Sequence, residues 1–194
     1  MARSNHSFSV FDTGAQRTTA PRELYEVARW YACRTRARAE KQVNRLLAGS
    51  GIESYLPLIE QERQWADRKK RVAFPMFPGY TFARFDLSGF HQVLMTPGVV
   101  TVIRTNGYPA PLRDEELESV RLLEKAANET GVVPVPVEFI EPGEEVIVIS
   151  GPFEGMTGVL IETRGPRRVV VRLSAIQQAM AVELPPAVLR PLGR

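Results

Sequence analysis

From residue 71 to residue 85 the sequence reads RVAFPMFPGYTFARF, and once this stretch is placed little of the fold around it stays free. Pro75 and Pro78 cannot donate to a sheet ladder and push the residues before them towards extended backbone. The chain therefore turns over residues 76–79 and re-enters a sheet at Tyr80. That turn puts Phe77 at a rim. From Tyr80 the strand alternates, with Tyr80, Phe82 and Arg84 on one face and Thr81, Ala83 and Phe85 on the other. Aromatic surface on both faces admits two readings: a sheet covered on both sides within its own domain, or a sheet with one face kept for a larger partner.

The rest of the chain arranges itself before and after this strand. Residues 1–29 are rich in Ser, Thr, Arg and Gly without sustained periodicity, which predicts a mobile N-terminal extension outside the fold, its last part a short helical lead-in. Residues 30–34 read as an aromatic strand. Residues 36–48 read as a helix, with Ala39, Val43, Leu46 and Leu47 at helical spacing before Gly49-Ser50-Gly51. A strand over 52–59 and a hairpin over 61–74, turning at Asp67-Arg68-Lys69-Lys70, lead into the aromatic strand. Ser88 is expected to cap a short helix that ends near Pro97-Gly98, before a β-branched strand over 99–104 and a turn at Asn106-Gly107. Residues 114–127 form an amphipathic helix with Leu117, Val120 and Leu123 as its stripe. Its acids Asp114, Glu115 and Glu116 come first and Arg121 and Lys125 later, as the helix dipole favours.

This order builds an α+β sandwich over residues 30–127, an antiparallel sheet with helices on one face. Residues 128–137, NETGVVPVPV, lack a helical stripe and read as a linker. From residue 138 to 194 the pattern changes to short strands punctuated by turns, which predicts a compact β-barrel.

Composition narrows the function. The 194 residues suffice for one ordinary domain or two small ones. A formal charge of +3 permits nucleic-acid binding without demanding it. Cys33 is the only cysteine, which excludes an intrachain disulfide and a Cys-based zinc knuckle and fits a reducing cytosol. No apolar run reaches the roughly 18–20 residues that cross a bilayer, and the first residues lack a secretory core, so a cytoplasmic protein without membrane contact is expected. His6 and His91 are the only histidines, and no glycine motif that cradles phosphate is present. A catalytic triad, metal site or cofactor site is then hard to assemble, and binding rather than catalysis is expected.

Several motifs together carry a family resemblance. Trp30-Tyr31 at the first strand, FPGY at residues 77–80, TPGVVTVIR at 96–104 and PAPL before the last helix resemble the N-terminal domain of NusG-type transcription elongation factors. EPGEEVIVISGPFEGMTGVL, residues 141–160, is similar to the SH3-like KOW barrel of that family. QWADRKKRV, residues 64–72, resembles the specialised paralogues of the RfaH and UpxY group more than the housekeeping factor.

The resemblance implies a monomeric elongation or antitermination factor. Its first domain binds the clamp helices of RNA polymerase near the nucleic acid of the transcription bubble and suppresses pausing or termination. Its KOW domain meets a second partner, such as a ribosomal protein or a termination factor. A KOW-containing RNA-binding or ribosome-associated protein that ignores polymerase is the rival reading.

The resemblance also implies sites. Tyr31, Phe77, Pro78, Tyr80 and Phe82, with Leu117 at the edge, would form the polymerase-docking surface, and Arg34 stands where RfaH has a tyrosine. Read from their charge, Arg36 and Arg38 of the first helix and the hairpin cluster Arg68, Lys69, Lys70 and Arg71 are nucleic-acid candidates, the cluster the better one because four consecutive cations at a loop tip can reach a phosphate backbone, and the resemblance adds His91. For the helix, a plain solvated face is the alternative. His91 is followed by Gln92 and Val93 where RfaH combines a histidine with two threonines, and it reads equally as an ordinary helix residue. In the barrel Phe153 and Ile176 are the partner-contact candidates, Ile176 reading equally as a cap on the barrel core. RfaH refolds this domain into helices. Here the β-branched VIVIS and RRVVVRL, with Pro185-Pro186 behind them, predict a permanent barrel.

Overall fold

The computed structural model describes residues 20–65, 68–139, 143–161 and 167–192, without the side chains of Trp65 and Arg68. The first nineteen residues of the expected extension lie outside the described residues. From Ala20 onward the chain is part of the fold. Ala20 and Leu24, the latter on the short helix α1 (Glu23–Glu26), are buried in the same apolar cluster as Leu87 and Phe90. A single leucine among charged residues leaves no periodic signal, so its anchoring is invisible until the partner surface is known.

Strand β1 (Arg29–Thr35), helix α2 (Glu40–Gly49), β2 (Glu53–Tyr55), β3 (Leu58–Trp65), β4 (Arg68–Pro75) and β5 (Tyr80–Phe85) follow in order. The strand expected over 52–59 is broken by Leu56-Pro57, because proline gives no ladder donor. Helix α2 starts at Glu40, so Arg36 and Arg38 sit in the loop before it, and Arg38 itself has a left-handed φ of 62°. Helix α3 (Phe90–Leu94) is led in by a 3-10 turn at Leu87–Gly89, and the cap is Asp86 rather than Ser88: the Asp86 carboxylate accepts the Ser88 N–H. Then come β6 (Val99–Val102), a small hairpin of β7 (Arg104–Thr105) and β8 (Tyr108–Pro109), and α4 (Asp114–Thr130).

The first sheet has the order β2-β5-β1-β6 and is antiparallel throughout. Alternation along β1 and β5 sends Tyr31, Cys33, Ala83 and Phe85 into a cluster with Val43 and Leu47 of α2 and with Phe90 and Val93 of α3. Trp30, Ala32 and Phe82 go to the other side, against Leu117, Val120 and Leu123 of α4. Helices therefore cover both faces, not one. The aromatic strand needed this, because each of its faces carries a phenylalanine too large to leave in water.

The second sheet is formed by β9 (Val135–Val137), β10 (Glu144–Val148), β11 (Thr157–Ile161), β12 (Arg168–Leu173), β13 (Gln178–Glu183) and β14 (Leu189–Pro191), in the order β14-β10-β11-β12-β13-β9. It is a β-sheet wound on Val146, Val148, Met156, Val169, Val171 and Leu173, with no helical hairpin among the described residues. The expected linker is mostly absorbed. Helix α4 runs to Thr130, closed by Gly131 at φ 74°, and Val135–Val137 pairs with β13, so only residues 131–134 are left as a plain connection. Pro136 is tolerated because β9 is an edge strand. Among the described residues no helix is long and apolar enough to cross a membrane.

Candidate functional site

The turn at Phe77 to Tyr80 is built from below. Gly79 takes φ 84°, a left-handed backbone for which glycine pays no steric cost, and its N–H donates to Oε1 of Glu40 at 2.8 Å. Its carbonyl accepts the Thr35 N–H at 2.8 Å, which ties the turn to the end of β1. Glu40 is a carboxylate only 6% exposed, held in the first turn of α2, where the helix dipole favours an acid. Braced in this way, the turn sends Phe77 inward, edge-on to Phe82 with ring centroids 6.1 Å apart. Pro78 stays exposed and Tyr80 half-buried.

Helix α4 is the platform on which the two sheets meet. Towards the first sheet, Glu124 accepts from the Tyr55 hydroxyl at 2.5 Å and the Leu58 N–H at 2.6 Å. One turn on, Asn128 accepts the Glu60 N–H at 2.9 Å and donates to the Leu58 carbonyl at 2.8 Å, fixing the base of the β3–β4 hairpin. The Arg121 guanidinium lies 5.2 Å from the ring centres of both Trp30 and Tyr55.

Towards the second sheet, the hydroxyls of Ser119 and Thr157 are 2.9 Å apart, and the Thr157 N–H donates to Ser119 Oγ at 3.2 Å. The Ser174 hydroxyl donates to Glu116 Oε1 at 2.6 Å and its N–H to Oε2 at 3.3 Å. Around these bonds one apolar cluster runs without interruption from Trp30, Phe77 and Phe82 through Leu117 and Leu123 to Phe153, Met156, Ile176 and Met180.

The sequence-named residues divide accordingly. Phe77, Phe82 and Leu117 lie on one side of this cluster, Phe153 and Ile176 on the other, and all five are buried. Pro78 borders a groove of about 570 Å3 between the hairpin base, residues 133–139 and β13. Tyr31 does not join them. It points to the α2 side of the sheet, its ring centre 4.6 Å from that of Phe85 with the planes tilted by 36°, because it is one residue out of phase with Trp30 and Ala32. Trp30 takes its place on the α4 face. Strand alternation against Phe82 is the signal that would have chosen it, and the i, i+3 and i, i+4 pairs Glu116/Ser119 and Glu124/Asn128 flank the leucine stripe where contacts beside a core belong.

Burial pushes the Cys33 thiol up to about 12 from 9.0. It also pushes the Tyr31 hydroxyl up to about 12 from 10.0, an effect Arg29 opposes and Asp86 reinforces. Tyr55 is raised further still, first by burial and then by the Glu124 carboxylate. The unfolded chain releases these protons near their ordinary values while the folded chain retains them. Stability is therefore intact below about pH 9 and falls above it, by about 1.4 kcal/mol per pH unit for each group once past its unfolded pKa. Denaturant titrations between about pH 8 and pH 11 should trace this decline, and a flat profile would contradict buried, protonated side chains.

The cation candidates are less gathered. Arg36 and Arg38 are exposed in the loop before α2, and Lys41, in the first turn of α2, donates to the Ala73 carbonyl of β4 at 2.7 Å. His91 is exposed on α3, next to Gln92, whose side chain reaches the Ser50 carbonyl at the far end of α2. It is thus not brought to the hairpin. Lys69, Lys70 and Arg71 are exposed on β4. Arg68 pairs with Trp65 through the backbone, and its side chain lies outside the described residues. Among the described residues no group of three or more His, Cys, Asp or Glu is placed to hold a metal ion.

Comparison with known proteins agrees with this geometry. The family described as "Transcription termination factor nusG" matches residues 28–121. The "Transcription termination/antitermination protein NusG" of Pseudomonas aeruginosa is 31% identical over 169 residues, covering 80% of this chain and 94% of the relative. That of Campylobacter jejuni is 30% identical over 145 residues, 69% of this chain and 80% of the relative. The structure described as "Domain interaction in Thermotoga maritima NusG" superposes with a TM-score of 0.50 at 23% identity, over 87% of this chain and 99% of that one, and supports the fold. The chain belongs to the NusG family and is a transcription elongation and antitermination factor.

Proposed function

We propose that the chain docks on RNA polymerase through the α4-side face of its first sheet, with Pro78 and Tyr80 as the accessible rim and Phe77 behind them. Phe82 and Leu117 support that face from within. The second sheet is the moveable cover: its Phe153 and Ile176 are buried against the same cluster, so the two proposed partner surfaces mask each other in the closed chain. Docking then requires the cover to lift. On release, the barrel offers Phe153 and Ile176 to a second partner, a ribosomal protein or a termination factor. The division between the two working units falls in residues 131–134. The stretch QWADRKKRV, with Lys69, Lys70 and Arg71 exposed on β4, supports a place among the specialised paralogues.

What supports docking most is the bracing of the Phe77 to Tyr80 turn by Glu40, which keeps an aromatic and a proline at solvent beside a large apolar cluster. Aromatic anchors at such a rim supply much of the energy of a protein interface. The test is retention of the full chain on core polymerase, together with a pausing assay. Tyr80→Ala is expected to lower retention at least about tenfold while costing the fold less than about 1 kcal/mol. Capture of ribosomal components with no polymerase would overturn the reading.

A further inference from the structure

Between the end of α4 and the start of β9 only residues 131–134 connect the two sheets, and four extended residues span at most about 14 Å. The connection is fixed at both ends. The Gly131 N–H donates to the Ala127 carbonyl at 2.9 Å, the Val132 N–H donates to Thr130 Oγ1 at 3.3 Å, and Pro134 is buried. Beyond it β9 lies along the edge of β13, with Val135 opposite Ala181, Pro136 opposite Met180 and Val137 opposite Ala179. Alternation in β12 and β13 sends Val169, Val171, Met180 and Val182 to the shared core. It sends Val170, Ala179 and Ala181 to the other face of the sheet, where Val137 and Phe139 pack over them. Residues 135–139 are thus held twice, by a ladder on the edge of β13 and by a small apolar cluster on its outer face. The hydrogen bonds that close the second sheet on α4 lie elsewhere, at Ser119 with Thr157 and at Glu116 with Ser174.

We propose that residues 135–139 are a strap that stays on β13 when the second sheet lifts from α4, so that the sheet swings on residues 131–134 and remains beside the docking face. This device rests on the reading of the second sheet as a moveable cover, and it sets how far the cover travels. The local concentration of a tethered group falls roughly as the −3/2 power of tether length. A four-residue connection therefore returns the cover to α4 far more readily than a long one would, and polymerase competes with it at every encounter. Were the strap to come off β13, the connection would run at least over residues 131–139, and the local concentration of the cover would fall at least about threefold.

Amide hydrogen exchange of the full chain reads the open fraction without polymerase. The Thr157 and Ser174 N–H groups donate across the seam, to Ser119 Oγ and Glu116 Oε2, and are freed when the sheet lifts. Inserting about twelve Gly and Ser residues between Val132 and Val133 takes the connection from four residues to about sixteen, and is expected to speed exchange of these two amides roughly eightfold while those of β12 keep their rates. The same insertion between Asn106 and Gly107 is expected to move neither. A second variant, Val135→Cys/Ala181→Cys, fastens the strap at residues that face each other in the register. Once oxidised, it is expected to exchange at the seam as wild type does and to bind core polymerase within about twofold of wild type. Seam amides unmoved by the insertion, or seam amides that exchange only together with those of β12, would overturn the proposal. So would loss of polymerase binding on fastening, which would mean that the strap has to peel. Retention of the wild-type chain on polymerase is measured alongside: if it is absent, the docking reading fails, while the exchange rates still decide the strap.

Discussion

Oxidising a Ser119→Cys/Thr157→Cys variant is expected to abolish polymerase binding, by at least about 100-fold, and reduction is expected to restore it. The hydroxyls at these positions are 2.9 Å apart across the contact between α4 and β11, close enough for sulfurs in their place to bond. Cys33 does not interfere, because it is fully buried and its thiol is held protonated. The open and closed populations set the size of the effect. A ligand that binds only the open form sees an affinity reduced by the open fraction, so a chain open 1% of the time binds about 100-fold more weakly than one always open, and a cross-linked chain binds least. Loosening should act in the opposite sense. Ser174→Asp places a second carboxylate against Glu116, which now accepts two hydrogen bonds from Ser174, and is expected to tighten polymerase binding. Unchanged binding by the oxidised chain would mean that the face covered by the second sheet is not the one polymerase uses.

The two halves of this contact were unequally legible in the sequence. The first sheet, its aromatic strand and α4 were readable because β5 alternates and α4 carries a clean stripe of Leu117, Val120 and Leu123, periodicities that secondary structure imposes directly. The barrel was readable because β-branched runs alternate with Gly and Pro turns. What could not be read is that the two cores are one. Glu116, Ser119, Thr157 and Ser174 are ordinary surface residues by type, and only their juxtaposition makes them an interface. The face that Tyr31 occupies was illegible for a different reason: a one-residue phase error in a strand reverses the face, and Trp30 beside it offered an equally aromatic choice. The arrangement of the hairpin cations was hidden for a third. Four consecutive basic residues look like one patch until strand alternation puts Lys69 and Arg71 on one face, in diagonal ion pairs with Glu62 and Glu60, and sets Lys70 opposite Arg63 on the other.

Phe82→Ala is expected to cost the fold about 3–5 kcal/mol, a large share of the roughly 5–15 kcal/mol that holds a domain together. Phe82 has no exposed surface, lies opposite Ala32 in the register of β1 and β5, packs edge-on against Phe77 and sits 6.2 Å from Tyr55. Its removal opens a cavity at the junction of sheet, hairpin base and α4, where Glu124 holds Tyr55 and Leu58 in fixed positions and little can collapse to fill it. The variant should therefore lose polymerase binding only together with its thermal transition, whereas Tyr80→Ala, at the rim of the same strand, should lose binding with the transition nearly in place. Calorimetry on the two variants separates the roles. A Phe82→Ala chain within about 1 kcal/mol of wild type would show that this ring is a replaceable contact rather than the wedge that joins the first sheet to α4.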